Sequence, residues 1–163
     1  MVRVDQAGEY GATRIYAGQL AVLRRNCPEA KLVARMAMQE ERHLKRFNAL
    51  VAERGVRPTA LQPLWSIAGF ALGAATALIS EKAALACTDA IETEIDKHYS
   101  EQFRELGDDD PELAGDIADF QADELEHRDT ARQAGAATAP GYPLLTAAIR
   151  AGCRVAIELS KRI

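Results

Sequence analysis

The chain has 163 residues, 48% of them hydrophobic and 27% charged, with a formal charge of -4. That is the composition of one ordinary globular domain, read as 1–163, able to bury a core without disulfides or a structural metal. A mildly acidic chain without a basic block excludes phosphate-backbone binding, so no nucleic-acid partner is expected. Cys27, Cys87 and Cys153 are odd in number and far apart, which excludes a disulfide framework and a CxxC pair.

The chain opens on MVRVDQAGEYGA, which lacks the apolar stretch of an export signal. Ala, Leu, Glu and Arg dominate the remainder and β-branched residues are sparse, so helix is expected nearly throughout. A first helix is predicted from a cap at Asp5 to about Arg25, where Asn26-Cys27-Pro28 breaks it. Pro28 suits the first turn of a second helix, ended by Gly55. Residues 58–80, from Pro58 to Ser80, carry no formal charge and are long enough to span a bilayer. Their helical part, Leu64 to Ile79, is expected to lead without a large break into a third long helix through Gly107. Asp110 before Pro111 starts a fourth, to about Ala134, and GAATAPGYP turns the chain into a last helix from Leu144 to Arg162. Four long helices with one long crossover predict an all-α, ferritin-like four-helix bundle with an additional C-terminal helix.

The histidines carry the chemistry. Glu40-x-x-His43 and Glu124-x-x-His127 each place a carboxylate and an imidazole one turn apart on a helix face. Two such motifs, with one glutamate from each of the other two helices, make a di-iron carboxylate site. Glu9 and Glu92 supply those glutamates: Glu9 lies 31 residues before Glu40, and Glu92 lies 32 before Glu124. Tyr16 and Tyr99 each come seven residues after their glutamate, so 5–54 and 88–135 read as copies of one helix pair. Glu9 and Glu92 are assigned as terminal ligands, with Glu40 and Glu124 bridging. Oxygen and nitrogen donors suit iron or manganese rather than a thiolate zinc site. Glu41 and Glu126 are neighbouring alternatives without the three-residue relation to a histidine, and Glu94 competes with Glu92. Asp89 and Asp123 are candidates for orienting a histidine. Tyr16 and Tyr99 could bond across the core, line a channel or simply pack. His98 sits about 120° around its helix from Glu92, beside the metal-facing stripe.

Six stretches, VDQAGEYGATRIYAGQLAVL, EERHLKRFN, RPTALQPLWSIAGFALGAATALI, ACTDAIETEIDKHY, DELEHRD and AGCRVAIELSKRI, resemble the demethoxyubiquinone hydroxylase family of ubiquinone biosynthesis over nearly the whole chain. The resemblance implies a monooxygenase with two iron ions, ligated by Glu9, Glu40, His43, Glu92, Glu124 and His127. It would use O2 to hydroxylate the ring of a polyprenylated demethoxyubiquinol. It implies catalytic roles for His98 and Tyr99, although many relatives have a second histidine where this chain has Lys97. A ferritin-like quinol oxidase or ferroxidase without ring hydroxylation is the rival reading.

A single span by 58–80 would put Glu9, Glu40 and His43 on one side of a bilayer and Glu92, Glu124 and His127 on the other. No shared metal site forms that way. The segment is therefore expected to lie on the membrane, with Trp65 and Phe70 at the interface. The last helix would complete the apolar surface with Leu144, Leu145, Ala148, Ile149, Val155, Ile157 and Leu159. Packing of both segments as internal core is the alternative. The expected location is peripheral, on the cytoplasmic face of the bacterial inner membrane. Expected partners are a polyprenyl quinol, an electron donor, other proteins of ubiquinone biosynthesis and a second copy of the chain. No nucleotide-binding fingerprint is present.

Overall fold

Side-chain capping sets three of the six helix starts. In the computed structural model, which describes residues 1–163, the chain forms six α-helices and no strands. These are α1 (Val2–Val22), α2 (Pro28–Glu53), α3 (Gln62–Ile79), α4 (Glu81–Leu106), α5 (Pro111–Gln133) and α6 (Tyr142–Arg162). α2 and α5 both start on proline, whose missing N–H is not needed in a first turn. The Cys27 sulfur accepts from the Ala30 N–H, and the Asp110 carboxylate accepts from the Leu113 N–H. Gly107 ends α4 with φ of 53°, a left-handed conformation that glycine adopts without strain.

One expected boundary differs. Asp5 is not the cap of α1: the helix begins ahead of it at Val2, and Asp5 is a buried first-turn residue. The apolar segment leads into the next helix with a break of one residue. Ser80 interrupts it in an extended conformation, and its hydroxyl accepts from the Ala83 N–H to cap α4. A serine hydroxyl satisfies an orphan helix donor better from outside the helix than from within it.

α1 pairs with α2 and α4 pairs with α5, and the two pairs face each other across buried side chains. α3 forms the long crossover, which makes this a ferritin-like helical bundle. α3 lies along α1, and glycines let the two backbones touch. A Cβ on Gly73 would sit 1.9 Å from the Ile15 carbonyl oxygen, and one on Gly18 would sit 2.1 Å from that of Phe70. By length and composition α3 is apolar enough to cross a membrane. It is instead laid against the bundle, and its outer side chains Leu64, Ile67 and Leu78 are left exposed. α6 packs on α4 and is clamped by Glu94, which accepts from Lys97, Arg150 and Arg154. The expected α6 stripe splits in the fold. Ile149 is buried and Leu145 half-buried against the bundle, whereas Leu144, Val155 and Leu159 face outward.

Candidate metal centre

Glu9 comes from α1, Glu40 and His43 from α2, Glu92 from α4, and Glu124 and His127 from α5. All six converge at the middle of the bundle, and none is more than 2% exposed. They form two overlapping sets. Glu9, Glu40, His43 and Glu124 offer ligand atoms that all lie within 4.8 Å of one another, as do Glu40, Glu92, Glu124 and His127. Glu40 and Glu124 belong to both sets, the geometry of bridging carboxylates; Glu9 and Glu92 each belong to one. Of the alternatives, Glu41 and Glu126 are not buried in this centre, and Glu94 is occupied by its three cations.

Both histidines turn Nδ1 inward. His43 Nδ1 lies 3.0 Å from Glu124 Oε1 and 3.4 Å from Glu9 Oε2. His127 Nδ1 lies 3.1 Å from Glu40 Oε1 and 3.1 Å from Glu124 Oε2. The outward nitrogens are bonded as well. His43 Nε2 is 3.0 Å from Asp123 Oδ2, and His127 Nε2 is 3.1 Å from Gln39 Oε1. Asp89 does not orient a histidine; it accepts from Arg132 and Tyr142 and ties α4 to α5 and α6.

The tyrosines bond across the core. The Tyr16 hydroxyl donates to Glu92 Oε1 at 2.7 Å, and the Tyr99 hydroxyl donates to Glu9 Oε1. Each glutamate is thus held by the tyrosine of the opposite repeat, because α1 and α4 run antiparallel. Burial, and then the facing carboxylates, push both phenols well above the usual tyrosine range, so each stays a donor.

Four carboxylates in one dry space repel each other. Burial, then repulsion from Glu124, Glu9 and Glu92, holds the Glu40 carboxyl well above its usual range. Glu92 is raised by burial and by Glu124. Burial opposes a charge on His43, but Glu124 and Glu9 outweigh it and push the imidazole up to about 10. Burial lowers His127. Both oxygens of Glu40, and one each of Glu9, Glu92 and Glu124, lie buried without a hydrogen-bond donor, as does His43 Nδ1. Orphaned acceptors aimed at one point need protons or cations there. The set is all oxygen and nitrogen, which fits two iron or manganese ions and supplies no thiolate for zinc.

His98 lies further along the same seam. Its Nε2 is 3.1 Å from Asp5 Oδ1, and Gln102 Nε2 also reaches Asp5 Oδ1, at 2.5 Å. Spacing along the chain points to none of Asp5, Gln102 or Gln39. The one signal for Gln39 is that it precedes Glu40 as Asp123 precedes Glu124.

On the outer side of the α1–α4 seam, flanked by α3 and α6, lies a cavity of about 590 Å³. That is the size of a small-molecule pocket. Gly8 and Ala12 of α1 and Ile91 and Ile95 of α4 line it where these helices carry Glu9 and Glu92. Ala156 and Trp65 line it from α6 and α3. Trp65 does not face outward as expected: it is half-buried, and its indole N–H donates to Ser160 Oγ at 3.1 Å. Burial pushes the Cys153 thiol, also on the wall, up to about 12, so this wall carries a neutral thiol rather than a nucleophile.

A family model described as ubiquinone biosynthesis protein COQ7 matches residues 1–160. The 3-demethoxyubiquinol 3-hydroxylase of Rhodospirillum rubrum is 55% identical over 162 residues, covering 99% of this chain and 76% of the relative. The NADPH-dependent 3-demethoxyubiquinone 3-hydroxylase, mitochondrial, of Homo sapiens is 50% identical over 167 residues, covering 100% of this chain and 76% of that one. The 5-demethoxyubiquinone hydroxylase, mitochondrial, of Saccharomyces cerevisiae is 43% identical over 179 residues, covering 100% and 77%.

Proposed function

The chain belongs to the ubiquinone biosynthesis protein COQ7 family, and from that premise we propose that it is a 3-demethoxyubiquinol 3-hydroxylase working through two iron ions. One observation carries the reading: six buried ligand residues in two sets that share Glu40 and Glu124, with their inward oxygens unpartnered. Bound iron supplies the activation of O2 and the electron transfer that carbon hydroxylation requires. Glu9 and His43 would hold one ion and Glu92 and His127 the other, with Glu40 and Glu124 between them.

The protein's own part is positional and dielectric. Tyr16 and Tyr99 fix the terminal glutamates and leave the other oxygen of each unpartnered, where it would be available to an ion. The aliphatic cavity excludes water from a flat, apolar ring and its tail, and the small residues Gly8 and Ala12 let that ring approach the seam. Asp5 and His98 form a hydrogen-bonded pair whose histidine side chain is only 12% exposed, and they would carry a proton between the seam and bulk water. Tyr99 touches Glu9 directly, and so acts on the reaction through a metal ligand.

Iron content tests the site. Protein purified with iron present should carry about two irons per chain by elemental analysis, from the two overlapping ligand sets. A reproducible content near zero would rule the centre out.

We also propose peripheral attachment to the cytoplasmic face of the inner membrane through the outer faces of α3 and α6. Ile67, Leu78 and Leu144 are each more than 70% exposed on those helices. In a chain whose net charge is -4, α6 ends on Lys161 and Arg162, with Arg150 and Arg154 upstream held by Glu94. A basic flank beside an apolar face is the pattern of a helix lying in an anionic interface. The protein should float with vesicles containing anionic phospholipid. The pair Ile67→Glu and Leu144→Glu should abolish flotation with helical content unchanged. Flotation undiminished in that pair would contradict this attachment surface.

A further inference from the structure

The two halves of the centre match in every inward-facing ligand and differ just outside it. Gln39 and Asp123 occupy equivalent positions, each immediately before a shared glutamate, and each bonds the histidine of the opposite repeat. The outward Nε2 of His43 meets a carboxylate oxygen at 3.0 Å; that of His127 meets an amide oxygen at 3.1 Å. With Nδ1 turned to the metal, Nε2 carries the proton and donates in both cases. Arg42 also donates to Asp123.

A carboxylate draws the Nε2 proton toward itself more strongly than an amide carbonyl does. It leaves more electron density on Nδ1, and so a stronger metal–nitrogen bond. Outer partners of this kind change metal affinity about 10–100-fold. We propose that the two metal positions are inequivalent, and that the one held by Glu9 and His43 fills first and binds more tightly. Asp123 and Gln39 set the order as positioning residues, without touching metal or substrate. This rests on the two-metal reading of the site.

The ligand sets alone would not predict it, since each offers three carboxylates and one imidazole. The available side chains make the test a change of charge alone, because Asp123→Asn and Gln39→Glu are isosteric. The full chain, freed of metal, is titrated anaerobically with iron(II), and a sample holding one iron-57 per chain is examined by Mössbauer spectroscopy. The wild type should bind two irons in two steps separated by about tenfold or more, with one dominant quadrupole doublet at one iron per chain. Asp123→Asn should weaken the first step until the two merge. Gln39→Glu should strengthen the second, and the double variant should move the first iron to the His127 side, with a different doublet.

Saturation below two irons would overturn the two-metal reading itself. Two irons bound with one indistinguishable affinity and a mixed spectrum at half-loading would overturn the inference alone. So would a separation that neither isosteric variant moves. Gln39→Glu keeps the test decisive if Asp123→Asn should fail to fold, because it adds a charge and keeps an acceptor for His127.

Discussion

Glu40→Ala is expected to cost more than about a hundredfold in turnover and to lower iron content, while helical content stays largely intact. Loss of a partner outside the ligand shell already costs about 10–100-fold in affinity or activity, and Glu40 belongs to both ligand sets. The helix should survive because alanine is the best helix former and the deleted carboxylate accepts no hydrogen bond, its close contact being with His127 Nδ1 inside the centre. Removing one of four mutually repelling acids also relieves the metal-free protein, so its thermal midpoint should hold or rise while function is lost. Circular dichroism, iron analysis and turnover on one preparation check all three. A variant that turns over normally would mean that another residue bridges the metals, and the assignment of Glu40 would be wrong.

Ala156→Trp is expected to lower kcat/KM by more than about tenfold with iron content unchanged. Ala156 lines the cavity from α6, about 590 Å³ in all, and an indole there takes space that a substrate ring or tail would fill. Each CH2 denied burial is worth about 0.8 kcal/mol, so losing contact for two of them is already about tenfold. α6 contributes no ligand, so the metals should load as in the wild type. Steady-state kinetics with a short-tailed demethoxyubiquinol, alongside iron analysis, separate the two effects. Unchanged kinetics would place the substrate's entry elsewhere on the bundle.

The six residues that the fold brings together were legible in the sequence because helical periodicity is rigid. A three-residue spacing fixes Glu40 beside His43 and Glu124 beside His127, and the repeat then points to Glu9 and Glu92. Spacing within a helix says nothing about partners across the bundle. That is why Tyr16 and Tyr99 had several open roles until the antiparallel packing of α1 on α4 paired each with the other's glutamate. Asp5 looked like a cap because caps and buried acids share a residue type; only its contacts with His98 and Gln102 tell them apart. The uncharged segment was legible as apolar but not as two-faced. Gly18, Gly69 and Gly73 let α3 lie against α1 backbone to backbone, a contact that spacing along one helix does not reveal. Composition marked Trp65 as apolar and interfacial but not its bond to Ser160, which seats it on the cavity wall.

Supplying the iron-loaded protein with a demethoxyubiquinol, a reductant and 18O-labelled O2, and tracking the quinone by mass, tests the central claim most directly. A buried carboxylate–histidine centre beside an apolar cavity predicts a hydroxylated ring carrying one labelled oxygen per turnover. Oxygen consumption with quinone formed but no labelled hydroxyl on the ring would contradict it, and would make this chain a quinol oxidase.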